Sequence, residues 1–181
     1  MEKKLKGLKK GFTLTEVMLS LAIAAIIIIT IFMAYPKIKA SQYIDQESRN
    51  IASIKAGVRS LYTTKPSYSG LSNKVAAYAE IIPASMIQSN TSYSLKSAWG
   101  GTVTIYSSDY GITKSPDSSF TIIYTNVPAD VCAKLVATDA GEMSAIKVGN
   151  TRVKEIGGLL DIDATTTACA PGNISINFSS L

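Results

Sequence analysis

Residues 9–23 read Lys-Lys-Gly-Phe-Thr-Leu-Thr-Glu-Val-Met-Leu-Ser-Leu-Ala-Ile. Five lysines (Lys3, Lys4, Lys6, Lys9 and Lys10) precede Gly11, and an apolar run from Phe12 to Tyr35 follows, interrupted by one charge, Glu16. A secretory signal places its cleavage site after the apolar run, at small residues. Here the small residue stands before it. A cut between Gly11 and Phe12 would remove the lysines and leave the apolar segment on the mature chain. The lysines hold the N-terminus on the cytoplasmic side of a membrane. Glu16 breaks the ordinary pattern, because a carboxylate within an apolar span costs roughly 3 kcal/mol on insertion scales and marks function.

Phe12 to Ala34 supplies 23 residues, about 35 Å of helix, enough to cross a bilayer. The β-branched run Ile26-Ile27-Ile28-Ile29-Thr30-Ile31 is a mediocre helix in water. In lipid a lone spanning segment must satisfy its backbone internally, so it is helical there. Pro36 predicts a kink rather than a stop. Beyond it Ile44, Ile51, Ile54, Val58 and Leu61 recur at helical spacing, with Gln42, Asp45, Glu47, Arg49 and Lys55 mainly between them. One helix from Phe12 to about Tyr62 is expected, with a globular head resting on the stripe from Ile44 to Leu61.

The remainder reads as an antiparallel sheet with short helices, an α+β pattern. Residues 63–73 form a turn-rich loop, and 74–82 a short helix limited by Pro83. Strands are expected at 102–107, 120–125 and 174–178. A helix over 129–137 carries Cys132, Leu135 and Val136, and a hairpin over 145–154 turns at Gly149-Asn150. The organisation is therefore a leader (1–11), a membrane or filament-core helix (12–35), its amphipathic continuation (36–62) and a head (63–181).

The sequence pI of 9.1 suggests an anionic partner until the charges are located. Residues 1–11 hold five Lys and one Glu, which leaves 13 basic and 12 acidic side chains, a net +1. No nucleic-acid face is expected on the mature chain. Histidine is absent, which removes the commonest general base and metal ligand. No phosphate loop or metal-spaced cysteine set appears, so neither cofactor nor metal is expected. Asp161-x-Asp163 reads as two acids of a polar loop, with calcium the sharper alternative. Asn90, Asn173 and Asn177 begin glycosylation sequons of the kind chance supplies in a Ser- and Asn-rich chain. Trp99, before two glycines, reads as an anchor for a core strand. Cys132 and Cys169 fall in the part that would cross the membrane. In an oxidising compartment they are most simply a disulfide, the alternative being two buried thiols. A bridged loop of about 38 residues stabilises by roughly 3–4 kcal/mol in the chain-entropy model.

The leader, with Gly11 before the cut, Phe12 as new N-terminus and Glu16 fifth in the mature chain, resembles that of type IV pilins and pseudopilins. Downstream, Ile82-Pro83-Ala84-Ser85-Met86, Trp99-Gly100-Gly101-Thr102-Val103 and Val127-Pro128-Ala129-Asp130-Val131-Cys132 resemble the type IVb branch, so the likeness covers most of the chain. The resemblance implies the pilin fold and a structural, non-enzymatic role as subunit of a helical surface filament. It implies cleavage at Gly11/Phe12 by a prepilin peptidase, which also methylates the Phe12 amine. The subunit then waits in membrane lipid, single-pass in the inner membrane. An assembly machine is then expected to extract it onto identical subunits of an extracellular pilus, and Glu16, needing a cation in an apolar setting, is expected to meet the Phe12 amine of a neighbour. A minor pilin or a type II secretion pseudopilin is the alternative within the class. A membrane-tethered periplasmic enzyme or binding domain is the alternative outside it.

Overall fold

The computed structural model describes residues 11–89, 93–109 and 115–181. The chain divides into two compact units, 1–38 and 39–181. Helix α1 runs Leu14–Leu61, 48 residues with Pro36 inside it, and ends within one residue of the expected Tyr62. The helix continues through Pro36.

In the first unit the helix is apolar all round and its side chains are exposed. Its two mid-span hydroxyls are returned to the helix itself. Ser20 Oγ donates to the Val17 carbonyl at 2.8 Å and Thr30 Oγ1 to the Ile26 carbonyl at 2.7 Å. Such back-bonding lets hydroxyls sit in an apolar span without an unmet donor.

In the second unit α1 buries Ala40, Ile44, Glu47, Asn50, Ile51, Ile54 and Val58. The spacing of three and four keeps the apolar members on one stripe. Leu61, expected to close that stripe, is 42% exposed and is the last residue of the helix. Helix α2, Asn73–Tyr78, is capped by the Ser72 side chain, which accepts from the Val75 N–H. It stops well before Pro83. Glu80 takes a positive φ of 54°, the left-handed turn that closes helices.

A 3-10 turn, Ala84–Met86, leads into β1 (Ile87–Ser89) and β2 (Ser94–Lys96), two short strands the sequence reading passed over. They are followed by β3 (Thr102–Ser108), β4 (Ser119–Val127) and helix α3 (Ala129–Asp139). The hairpin β5 (Ala145–Val148) and β6 (Thr151–Lys154), helix α4 (Ile162–Cys169) and β7 (Ile174–Ser180) complete the head.

The seven strands form one antiparallel sheet in the order β1-β2-β3-β4-β7-β5-β6. Strand β7 pairs with β4 through Ile122↔Phe178 and Tyr124↔Ile176, and with β5 through Ile146↔Phe178 and Val148↔Ile176. Alternation puts Phe120, Ile122, Tyr124, Ile176 and Phe178 on one face, where they join the α1 stripe in the core. The fold is a helix packed on an antiparallel sheet, as the α+β reading expected.

Asp161 and Asp163 are not loop acids. Asp161 is the N-cap of α4, its side chain accepting from the Ala164 N–H at 2.9 Å, and Asp163 lies in the first turn. Both are favoured there by the free amides and the helix dipole. The first sequon, at Asn90, lies outside the described residues.

Candidate functional site

The residues that mark the leader lie around the start of α1. Gly11, Phe12 and Thr13 stand outside the helix, which begins at Leu14. The Thr13 carbonyl accepts the first helical bond, from Val17 N–H at 3.2 Å, which makes Thr13 the N-cap. Its side chain completes the role. Thr13 Oγ1 accepts from Glu16 N–H at 3.3 Å, and the Glu16 carboxylate accepts from Thr13 N–H at 3.0 Å. The reciprocal pair is a capping box, satisfying two donors that a helix start leaves open. Thr13 Oγ1 also lies 3.0 Å from Glu16 Oε2. Phe12 is 87% exposed, and the space beside Gly11 is open. The helix is long and apolar enough to cross a membrane; its most apolar 18-residue window has a mean hydropathy of 2.8 and no buried residue.

The cysteines belong to the second unit. Cys132 on α3 and Cys169, the last residue of α4, are joined in a disulfide, with Cα atoms 5.6 Å apart. Both are buried, so the bridge fastens two helices that flank the β5–β6 hairpin in sequence.

The sequence reading missed a buried polar cluster on α1. Glu47 is fully buried. One of its oxygens accepts from the Ala98 N–H at 2.6 Å, the other from Asn50 Nδ2 at 3.1 Å. Burial pushes its pKa up, opposed by these bonds and by the Tyr124 hydroxyl. That hydroxyl is itself raised well above its ordinary range, first by burial and then by the Glu47 charge, and forms no hydrogen bond of good geometry among the described residues. At the very next residue, Ser48 Oγ donates to Asp139 Oδ1 at 2.8 Å. Farther on, Lys55 pairs with Glu142 at 2.9 Å and Arg59 Nη2 donates to the Leu181 carbonyl at 2.6 Å. Successive turns of α1 are thus fastened to the head by polar contacts as well as by the apolar stripe. The gap of seven between Ile44 and Ile51 was the available signal, because position 47 falls in phase with the stripe.

Ala98 belongs to the β2–β3 turn that Trp99 anchors. Trp99 Nε1 donates to the Thr125 carbonyl at 3.0 Å, and its ring lies 5.6 Å from that of Tyr124. A Cβ at Gly101 would stand 1.9 Å from the Thr125 carbonyl oxygen, so only glycine fits beside the indole.

The outer sheet face carries an open hollow lined by Tyr106, Ser108, Thr121, Ser179, Lys147 and Arg152 among others. Its hydroxyls bond one another: Ser108 Oγ to Thr121 Oγ1 at 2.9 Å and Thr121 Oγ1 to Ser179 Oγ at 2.8 Å. Among the described residues no group of three or more His, Cys, Asp and Glu side chains gathers to hold a metal.

The PilS N-terminal family model matches residues 41–181. The chain belongs to the PilS N-terminal family of type IV pilins. The prokaryotic N-terminal methylation motif matches residues 7–32 of this pilin. Its fold is similar to that of the type IVb pilin of Salmonella typhi, with 16% identity and a TM-score of 0.58 over 74% of this chain and 97% of that one. It is similar also to TcpA, a type IV pilin of Vibrio cholerae El Tor biotype, with 13% identity and a TM-score of 0.56 over 77% and 99%. No curated protein sequence matches the chain. The comparisons support a structural subunit of a pilus.

Proposed function

We propose that this pilin builds a type IVb filament and is processed between Gly11 and Phe12, with Glu16 directing assembly. On this reading residues 1–11 are the leader, 12–35 the membrane and then filament-core helix, 36–62 its continuation and 63–181 the head. The partners are identical subunits, the peptidase that cuts and methylates, lipid before assembly and the inner-membrane machine that extracts the chain. The subunit waits as a single-pass protein of the inner membrane and ends in an extracellular pilus. It carries no enzymatic activity. The observation that carries the proposal is the coincidence, in one chain, of the methylation motif over 7–32 with a pilin-fold head.

Glu16 has the chemistry the step needs. In lipid or among packed helices its carboxylate must find a cation or take up a proton. Cleavage creates an amine at Phe12, and methylation leaves it cationic. Pairing with that amine on an adjoining subunit would fix an axial register that apolar side chains define poorly. Glu16→Ala is expected to leave cleavage and insertion intact and abolish filaments, with Glu16→Gln intermediate. Electron microscopy of cells at matched levels of processed subunit checks this; abundant filaments from Glu16→Ala would reduce Glu16 to a passenger. Gly11→Val is expected to leave the leader uncut. The space beside Gly11 is open, so valine fits its own chain and a block arises in the peptidase. A normally shortened Gly11→Val subunit on a gel would defeat the assigned cleavage site.

A further inference from the structure

We infer that Thr13 is a positioning residue for leader cleavage: as N-cap of α1 it stops the helix just short of the scissile bond and keeps Gly11–Phe12 outside the helix. The inference rests on the proposed cut between those residues. Three observations carry it. Gly11, Phe12 and Thr13 lie outside a helix that starts at Leu14. Thr13 and Glu16 exchange both bonds of a capping box. Gly11 is open to its surroundings, and Phe12 is among the most exposed side chains of its unit.

The physical reason is competition for the same atoms. If α1 extended N-terminally by two or three residues, the Gly11 carbonyl would accept the helical bond from the Thr15 N–H, four residues on. That carbonyl is the one a peptidase must reach, and within a helix it is engaged and screened. A capping residue takes non-helical backbone angles, and its side chain accepts from the N–H groups of the first turn. Thr13 therefore ends the helix at a place that leaves the scissile carbonyl free and the apolar span intact. Residues 14–34 are strong apolar helix formers in lipid, so without a stop the helix would propagate toward the cut.

The geometry also accounts for a division of labour with Glu16. The Thr13 hydroxyl accepts from the backbone N–H of residue 16, which any side chain there preserves. Replacing Glu16 thus removes only the reciprocal half of the box, whereas replacing Thr13 removes the cap itself.

The test is the rate of leader removal from full-length precursor in membranes containing the peptidase, followed by pulse–chase, with mass spectrometry of the new N-terminus. Carbonate extraction confirms equal insertion of each variant. Thr13→Ala and Thr13→Val are expected to slow cleavage by up to about fivefold, the factor to which the roughly 1 kcal/mol of a lost N-cap converts. Thr13→Ser and Thr13→Asn, which differ in shape but cap well, are expected to restore the rate. Unchanged rates for Thr13→Ala and Thr13→Val overturn the inference. Slow cleavage of Thr13→Asn together with Thr13→Ala also overturns it, since the peptidase would then be reading the threonine itself. An unaltered chain found cut elsewhere than Gly11/Phe12 would instead defeat the processing proposal on which the inference rests.

Discussion

Asp139 shows how one side chain gives the head a pH dependence. It is buried at the end of α3, with Oδ1 bonded to Ser48 and Oδ2 without a partner among the described residues. Burial pushes its carboxyl from 3.8 up to about 6, opposed by the Ser48 bond and aided by the Glu142 charge. Between those values the folded chain keeps a proton that the unfolded chain has lost. Stability contributed by that proton is therefore full below about pH 4 and lost as pH rises through about 6. Buried Glu47, also raised, adds a slope of the same sign. Exposed Glu142 is lowered, first by its bond to Lys55, and acts oppositely, its contribution disappearing as pH falls through its lowered pKa. Asp139→Asn keeps an acceptor for Ser48 and removes the ionisation. It is expected to stabilise the soluble head by about 2 kcal/mol at pH 7.5, after discount for solvent screening, and by little at pH 4.5. Urea midpoints at the two pH values check this; a variant that loses stability with rising pH as steeply as its parent refutes it.

Among the elements, the disulfide joins α3 to α4, two helices that also touch each other and the sheet. Cys132 is in the second turn of α3 and Cys169 ends α4. Replacing both with serine is expected to destabilise the head by about 3 kcal/mol and to release α4 before the sheet. Hydrogen exchange would then show the earliest loss of protection over 162–169; uniform loss across β4 and β7 would argue against a local role. The longer elements were legible because burial imposes a period. The stripe at 44, 51, 54 and 58, the alternation in β3 and β7 and the compact apolar run of β4 follow from facing one core. The short ones lacked that signal. Strands β1 and β2 have three residues each, too few to alternate visibly. Helix α4 is rich in Thr and begins with two acids, a composition that resembles a loop until Asp161 is seen as a cap. The methylation motif over residues 7–32 was legible from residue types alone. The capping role of Thr13 was not singled out, although Thr-x-x-Glu before an apolar run is its sequence signature. Glu47 was hidden by the rule that charges face water, which a buried carboxylate escapes only by finding donors such as the Ala98 N–H.

For the whole molecule, the division at residue 38 predicts separable behaviour. Residues 41–181 hold 11 basic and 11 acidic side chains and contain the complete sheet. A chain beginning at Ser41 is expected to be a soluble, folded monomer without salt-sensitive DNA affinity. Size-exclusion chromatography and a DNA titration at two salt concentrations check this; aggregation, or tight binding relieved by salt, would contradict it.

The place of β7 governs when this head can form. It is the last of the seven strands in sequence, yet it lies in the sheet interior between β4 and β5. Until it arrives, β1–β4 and β5–β6 are two fragments, each with a bare edge facing where the other will be. On the proposed topology, a chain threading through a membrane from its N-terminal helix would deliver Ile174–Ser180 after every other strand. On that topology the sheet would close only when β7 arrives, which would place the interval of greatest aggregation risk on the far side of the membrane.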